Sequence, residues 1–256
     1  MTTNALYVGS VGKAFRVLDC FKQASGDLSL MEIMAISGLD KSAAQRYTHT
    51  LCAEGYLEQN AQTRRYRLGT GMLNLTFHFL RMNALVEALN PIMLELSAAT
   101  GEKISLSLLD GNELVHVMRH QSQTEHYHAS LVGRRVPLYC TAGGRAVLSC
   151  LDDAEVLSRL AGVELSAPTP RTQTAVEAIK GEVAKARDQG YALIVDEFIV
   201  GEISLAAAVT NAQGVPYGAL HLSGSSNAWT GEEYAAKFVP HLLRAIAQFE
   251  RRNPPE

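Results

Sequence analysis

The sequence predicts an α+β protein in two parts, an N-terminal winged helix-turn-helix and a larger C-terminal domain, connected by a linker helix. Three observations support this. Three helical patterns and a short hairpin fill the first 70 residues, an apolar helical segment follows, and strands mixed with helices begin near residue 103. The chain of 256 residues is long enough for two domains. The predicted boundaries are 1–70, 71–84 for the linker helix and 85–256.

The first three helices are predicted from their caps and their apolar spacing. Ser10 is a good N-cap for the first helix, and Ser29 for a shorter second helix. Gly38 suits the left-handed position that ends this second helix, and Asp40 is expected to cap a third helix that runs to about Glu54. The apolar stripe of the first helix comprises Val11, Ala14, Phe15, Leu18 and Phe21. The expected buried stripe of the third comprises Ala44, Tyr47, Thr48 and Leu51.

A short hairpin is predicted after the third helix, where "YLEQN" and "RRYRL" flank "AQT". Alternation along the second strand predicts Tyr66 and Leu68 on one face and Arg65 and Arg67 on the other. Three helices followed by such a hairpin make a winged helix-turn-helix.

The apolar segment that follows is expected to form two helices with an interruption at Pro91. The first, over about 72–82, is the linker helix, and the second, over about 86–100, opens the next domain. The linker helix is apolar nearly all round. This indicates packing on another chain, and therefore a homodimer.

The C-terminal part alternates between strands and helices. "KISLSLLD" and "ELVHVMRH" flank "DGN" as a hairpin, and "EHYHASLV" is predicted as a third strand. Helices are predicted at "CTAGGRAVLSCL", "LDDAEVLSRLAG" and "AVEAIKGEVAKARDQG". Strands follow at "YALIVDE", "ISLAAAVT" and "VPYGALHLSG", and Thr230 with Glu233 forms a capping box for the last helix. This mixture indicates an α+β sensor domain.

Charge and cysteine content narrow the function. The net charge is −3, but the first 70 residues carry +2 and the remainder −5, which suggests two modules with different partners. There is no apolar run of membrane-spanning length and no signal-like N-terminus, so we expect a cytoplasmic protein with no membrane association. The four cysteines lack C-x-x-C spacing, which predicts neither a metal site nor disulfides. No cofactor motif is present.

The third helix and the hairpin predict an interface with double-stranded operator DNA. Four polar residues of the helix recur at i, i+3, i+4 and i+7, opposite its apolar stripe, and the hairpin carries Arg64 at its tip. Such side chains can bond phosphates and base edges, although a merely solvated face is the common alternative. The candidate DNA-binding residues are Lys41, Ser42, Gln45, Arg46, His49, Arg64, Arg65 and Arg67.

Several segments resemble one known family throughout the chain. "VGSVGKAFRVLDCF", "LSLMEIMAISGLDKSAAQRYTHTLCAEGYL" and "RRYRLGTGMLNL" resemble the DNA-binding domain of IclR-family bacterial transcriptional regulators. "RVPLYCTAGGRAVLS", "DQGYALIVDE" and "ALHLSGS" extend the resemblance over nearly the whole length. The resemblance implies a GAF-like effector-binding domain after the linker helix. It also implies a homodimer or tetramer that controls catabolic genes in response to a small metabolite.

A carboxylate effector is expected near "PLYCTAGGRAVL", where a strand leads through small residues into a helix start. Alternation places His221 with Ser223, and Ser204 with Ala206 and Ala208, on shared strand faces. The resemblance puts effector contacts at the amides of Ala142 and Gly143 and at the side chains of Ile194, Ser204, His221 and Ser223.

Two of these positions depart from the family pattern. Members that bind small keto acids carry an acidic group where Ile194 stands and serine where His221 stands. An apolar Ile194 and a cationic His221 would favour a larger, aromatic carboxylate. A single histidine at such a position is also common as an ordinary core residue.

Two other functions are weighed against regulation. A small-molecule enzyme would need a nucleophile elbow, a phosphate loop, a zinc motif or a dinucleotide fingerprint, and the sequence has none of these. A winged helix that is only architectural would bind a partner without sensing a ligand.

"EHYH" at 125–128 places only His126 and His128 on one face, which is too few ligands for a metal site.

Overall fold

The computed structural model describes residues 6–121 and 132–252, and the chain divides into two compact units at Met82 and Asn83. The strand predicted at "EHYHASLV" lies, except for Val132, outside the described residues, as do the histidines of "EHYH". None of the helices in the described part is long and apolar enough to cross a membrane.

The N-terminal unit is a winged helix-turn-helix followed by a further helix. Its elements are α1 Gly9–Asp19, a 3-10 turn Cys20–Gln23, α2 Leu30–Ser37, α3 Lys41–Ala53, β1 Leu57–Gln59, β2 Tyr66–Leu68 and α4 Gly71–Met82. β1 and β2 pair antiparallel. Ser29 and Glu32 form a capping box on α2, Gly38 has a φ of 68° after it, and Asp40 caps α3. The predicted cap at Ser10 is wrong, because α1 already begins at Gly9, without a side-chain cap.

Two apolar surfaces of this unit differ from the prediction. Val17 of α1 and Cys20 directly after it are buried, whereas Val11 and Phe15 of α1 are 52% and 61% exposed. On β2, Tyr66 is buried but Leu68 is 45% exposed. The small core of this unit accommodates only one narrow row of each amphipathic element. The remaining apolar side chains therefore face outward.

The break between the two long helical segments lies at Asn83 and not at Pro91. The Asn83 side chain accepts a bond from the Val86 amide and starts α5, Ala84–Thr100, which continues through Pro91. Pro91 removes one helical hydrogen bond, but the helix around it is well packed. The buried residues of α5 are Val86, Leu89, Ile92, Met93 and Leu96.

The C-terminal unit is built on one antiparallel sheet. After α5, its elements are β3 Lys103–Asp110, β4 Glu113–His120, β5 Arg135–Pro137, α6 Ala142–Leu148, α7 Asp153–Ala161, α8 Val176–Gln189, β6 Ala192–Val195, β7 Glu202–Thr210, β8 Pro216–Ser225 and α9 Gly231–Arg252. Among the described residues the strands follow the order β5-β4-β3-β8-β7-β6. Thr230 and Glu233 form the predicted capping box at the start of α9.

The two faces of this sheet are covered by different helices. α6 packs against β6, β7 and β8, and its Gly143 lies against the ring of His221. α9 covers the opposite face, where Tyr234 lies against Gly224, and it also packs on α5. Small side chains such as Ala142, Ala146 and Ala206 let α6 approach the strands closely.

Candidate functional sites

The polar face of α3 is fully exposed. Ala44, Thr48 and Leu51 are buried against the rest of the unit, and the Asp40 side chain accepts the Ala43 amide at 2.8 Å to fix the start of the helix. The five predicted residues on this helix are Lys41, Ser42, Gln45, Arg46 and His49, all exposed. Within the described residues, none of these five side chains has a hydrogen bond or an ion pair. They are therefore available to another molecule.

The three wing arginines have different surroundings. Arg64 sits at the exposed tip with a φ of 58°, next to a turn in which the Asn60 side chain accepts two backbone amides. Arg65 donates to the Asp27 carbonyl at 2.9 Å and to the Glu32 carboxylate at 2.7 Å. It therefore fastens the wing to the start of α2. Bonds from Ser29 and then from Arg65 lower the pKa of Glu32 to about 2.

Arg67 is also occupied within the wing. Its Nε and Nη2 both donate to the Glu58 carboxylate, at 3.0 and 2.7 Å, across the pair β1 and β2. Like Arg65, it keeps Nη1 for a further partner. The sequence did not indicate either ion pair, since Glu32 lies 33 residues from Arg65 along the chain.

A small cavity of about 50 Å³ lies between α6 and the sheet. It brings together every predicted effector residue except Gly143, which packs behind the His221 ring. The cavity is lined by Ser105, His116, Arg119, Arg134, Val136, Thr141, Ala142, Ile194, Phe198, Ile199, Glu202, Ser204, His221 and Ser223.

Strand register explains why the cavity is polar. Ser204 pairs with Ser223 across β7 and β8, and the Ser223 hydroxyl donates to the Ser204 hydroxyl at 3.1 Å. Ala206 and Ser105 flank His221 on either side. The predicted faces, His221 with Ser223 and Ser204 with Ala206, are therefore confirmed, and the register joins them into one face. Ile194 is opposite Ser204 on β6 and is buried.

His221 is buried and held in place by another side chain. Its Nε2 lies 2.6 Å from the Ser107 hydroxyl, and its ring centroid lies 5.4 Å from that of His116. Burial, followed by the charges of His116 and Arg119, lowers the pKa of His221 well below its ordinary value. Burial likewise lowers the pKa of His116 to about 4, helped by Arg119 and Arg134. The expectation of a cationic His221 is therefore wrong, because the imidazole is neutral near pH 7.

Two arginines of the cavity, Arg119 and Arg134, were not predicted from the sequence. For Arg119 the cause is a β-bulge in β4, because Met118 pairs with Leu106 but His116 pairs with Ser107, leaving Val117 as an additional residue. Simple alternation would put His116 and Arg119 on opposite faces, whereas both line the cavity. At the rim, the Arg134 guanidinium stacks on the Phe198 ring at 5.4 Å. No local pattern of apolar spacing reveals such a bulge.

The start of α6 is fixed beside the cavity. The Thr141 hydroxyl accepts the Gly144 amide at 3.1 Å and donates to the Pro137 carbonyl at 2.7 Å. Ala142 and Gly143 supply the first two amides of the helix, which have no acceptor within it. This is the backbone arrangement that the sequence analysis expected.

A buried ion pair connects α6 with the cavity wall. Arg145, which is 1% exposed, binds the Glu197 carboxylate through two nitrogens at 2.7 and 2.6 Å and donates Nε to the Tyr139 carbonyl. Glu197 precedes Phe198 and Ile199, the two wall residues of this loop. Asp196, with a φ of 58°, accepts hydrogen bonds from the Ser226 hydroxyl and the Gly201 amide. These bonds hold the far end of the same loop at Gly201.

Comparison with known proteins agrees with both units. Residues 77–250 match the model of the C-terminal domain of bacterial IclR transcriptional regulators, and residues 10–61 match the IclR helix-turn-helix domain. The chain belongs to the IclR family. The regulator XynR of Escherichia coli K12 is 31% identical over 84% of this chain and 86% of its own length. The regulator KdgR of the same strain is 31% identical over 97% of this chain and 95% of its own length.

Solved IclR structures share the fold of the whole chain. An IclR regulator from Alicyclobacillus acidocaldarius gives a TM-score of 0.84 at 25% identity, covering 97% of this chain and all of that one. An IclR homologue from Microbacterium hydrocarbonoxydans, solved with 4-hydroxybenzoate, gives a TM-score of 0.78 at 21% identity. The match covers 94% of this chain and 98% of the homologue. As an IclR protein the chain is a DNA-binding transcriptional regulator, and its relatives are regulators rather than enzymes.

Proposed function

We propose that the chain binds double-stranded operator DNA as a homodimer or tetramer and controls catabolic genes in response to a small carboxylate, of the aromatic class. The observation that carries this function is a contrast in polar surfaces. The five predicted side chains on α3 are exposed and have no partner among the described residues, whereas polar side chains of the sheet line a cavity. One surface suits a large external partner and the other a small molecule.

For DNA, α3 acts as the recognition helix. Arg46 and Gln45 can bond base edges with two atoms each, while Lys41, Ser42 and His49 reach base edges or phosphates. Arg64 at the wing tip is a phosphate or minor-groove contact. Arg65 and Arg67 contribute Nη1 to a phosphate while their other nitrogens hold the wing.

Self-association follows from the exposed apolar residues of the N-terminal unit. No residue of α4 is buried within the chain, and its exposed side chains include several large apolar ones. Covering such side chains with a second copy removes them from water. The exposed apolar residues are Leu6, Tyr7, Val8, Val11 and Phe15 near α1, and Leu73, Leu75, Phe77, Phe79 and Met82 on α4.

For the effector, the cavity supplies donors and positive charge. Ser204, Ser223 and the amide of Ala142 are donors for a carboxylate in the cavity, and the amide of Gly143 follows at the same helix start. Arg134 stands at the rim, and Glu202 is compensated by Lys103 at 3.8 Å. A ligand that binds one conformation of this domain more tightly than another shifts the chain toward that conformation, and so changes its affinity for DNA. The change is limited by the difference between the ligand's affinities for the two conformations. The fold itself can hold an aromatic acid, since the Microbacterium homologue was solved with one.

Gel-shift titration with DNA from upstream of the gene of this chain and its neighbours tests the function. We expect one fragment to bind at least a hundredfold more tightly than unrelated DNA of equal length. Acetate, benzoate and related acids are then added to the complex, and one of them should change the affinity. Equal binding to all fragments would contradict operator recognition.

The effector site needs its own variants. Ser204→Ala and Ser223→Ala should weaken binding of the responsive acid by calorimetry, whereas Ser158→Ala on the exposed face of α7 should not. If both cavity variants bind the acid as the unmodified chain does, the acid binds elsewhere.

A further inference from the structure

The imidazole of His221 lies directly against the start of α6. A Cβ placed on Gly143 would overlap the His221 ring, so the ring lies directly on the backbone there. On its other side, Nε2 is bonded to the Ser107 hydroxyl at 2.6 Å. The ring is therefore held between β3 and α6.

With the imidazole in this position, the cavity is too small for most ligands. Its volume is about 50 Å³, whereas sites for small molecules measure roughly 300–1,000 Å³. One water molecule takes up about 30 Å³ of liquid. The cavity thus accommodates a group of carboxylate size, but not a carboxylate together with a ring.

The space that the ring takes up is flat and lined by an aromatic neighbour. Gly143 and Ser107 bound it on two sides, and the His116 ring lies with its centroid 5.4 Å away, at a tilt of 47°. Such a distance is typical of interacting aromatic rings. A planar ring of similar width would meet the same neighbours, while its carboxylate would reach Ser204 and Ser223.

We propose that His221 is the specificity-determining residue of the cavity, because its imidazole stands where the ring of an aromatic carboxylate lies when bound. This inference rests on the proposed function, in which the cavity is the effector site. A very small acid binds beside His221. An aromatic acid binds only by moving the imidazole away from Ser107 and Gly143, and this movement of a side chain on the central strand β8 accompanies recognition of the ligand.

Calorimetry of the full chain with acetate and benzoate tests the proposal. His221→Ala removes the obstructing ring, so benzoate should bind at least tenfold more tightly while acetate affinity changes less than twofold. Ser107→Ala keeps the ring but removes its hydrogen bond, and should strengthen benzoate binding by about two- to tenfold. Ser158→Ala is the control and should change neither affinity. Benzoate binding seen only in His221→Ala would mean that the imidazole blocks the ring without being displaced, and would overturn the proposal.

Other results would overturn it. Weaker benzoate binding in His221→Ala would mean that the imidazole contacts the ligand directly, and unchanged binding would mean that it sets no limit on ligand size. If His221→Ala does not fold, nuclear magnetic resonance of the unmodified chain decides. The His221 ring signal should shift toward that of an exposed imidazole when benzoate is added, and an unmoved signal with benzoate bound contradicts displacement.

The proposed function fails in a different way. Acetate binding that is insensitive to Ser204→Ala and Ser223→Ala would remove the cavity as the effector site, whatever His221→Ala does. Absence of benzoate binding to every variant, with acetate binding still sensitive to the serines, would overturn only the role of His221.

Discussion

The α3 face and the buried region around the sheet cavity contain the same residue types in opposite surroundings. Arg46 and His49 project from α3 into solvent, whereas Arg145 and His221 are almost completely inaccessible. An arginine in water loses little free energy when it has no partner in the protein, whereas a buried arginine is stable only when a carboxylate compensates its charge. An exposed polar side chain of this kind can therefore be removed with little loss of stability, whereas removal of a buried, paired one destabilises the fold.

The largest expected effect is at the buried ion pair. Arg145→Met leaves the Glu197 carboxylate largely buried without its partner, which should lower the free energy of unfolding by about 3–5 kcal/mol. Arg135→Met breaks ion pairs of similar length with Asp110 and Glu113 that are exposed, and should cost less than about 1 kcal/mol. Urea unfolding followed by the fluorescence of Trp229, the single tryptophan, measures both. Equal losses would remove the contrast between buried and exposed charge.

The next effect is a loss of stability in acid. The native pKa of His116 is about 4, whereas the unfolded value is about 6.5. Between these pH values His116 is protonated in the unfolded chain but neutral in the native one. Stability is therefore highest above pH 6.5 and falls as the pH drops from about 6.5 to about 4, by roughly 3 kcal/mol for this residue. Unfolding at pH 7 and pH 5 should show most of this loss, and His116→Gln should reduce it.

A smaller effect is expected for sequence recognition. Arg46→Ala should weaken operator binding by about 1–3 kcal/mol and relax the preference at one base pair, while leaving the unfolding transition unchanged. Lys185→Ala removes one exposed positive charge from α8 in the other unit and is the matched control. Gel shifts with the operator and with single-base variants measure both. An Arg46→Ala variant that binds like the unmodified chain would disprove its assignment to base recognition.

The smallest effect is expected at the wing tip. Arg64→Ala should weaken binding to all DNA sequences similarly, by less than about 1 kcal/mol, and reduce the slope of log affinity against log salt by about one. Arg65→Ala should in addition lower stability, because Arg65 holds Asp27 and Glu32. If Arg65→Ala changes only the salt slope, its bonds to α2 contribute nothing measurable.

Helical spacing was sufficient to predict the α3 face, because Ala44, Thr48 and Leu51 are buried at positions that a period of 3.6 residues selects. Regular alternation likewise predicted the faces of Ser204 in β7 and of Ser223 in β8, and the register of the two strands brings them together. What spacing could not predict depends on distant partners. The ion pair of Arg65 with Glu32 joins residues 33 positions apart, and the low pKa of His221 results from burial beneath α6.

The apolar residues of α1 also differ from the prediction, because two residues of the predicted apolar stripe, Val11 and Phe15, are exposed. The periodicity of Val11 and Phe15 indicates an apolar face but cannot tell whether that face meets the same chain or another one. The exposure of these residues in a single chain agrees with the interpretation of α4, where the all-round apolar surface already indicated association. In both helices, apolar pattern predicts a surface that avoids water, and only the fold shows how much of it remains uncovered.

The bulge in β4 also affects how relatives should be compared. Since Val117 has no partner on β3, a chain lacking this residue would keep His116 opposite Ser107 and Arg119 opposite Ser105. A deletion here would therefore preserve the side of the strand that lines the cavity, at the cost of one buried valine. An alignment gap at this position between two family members is compatible with an unchanged set of ligand-facing residues, whereas a gap in the regular part of β7 or β8 would exchange the two faces.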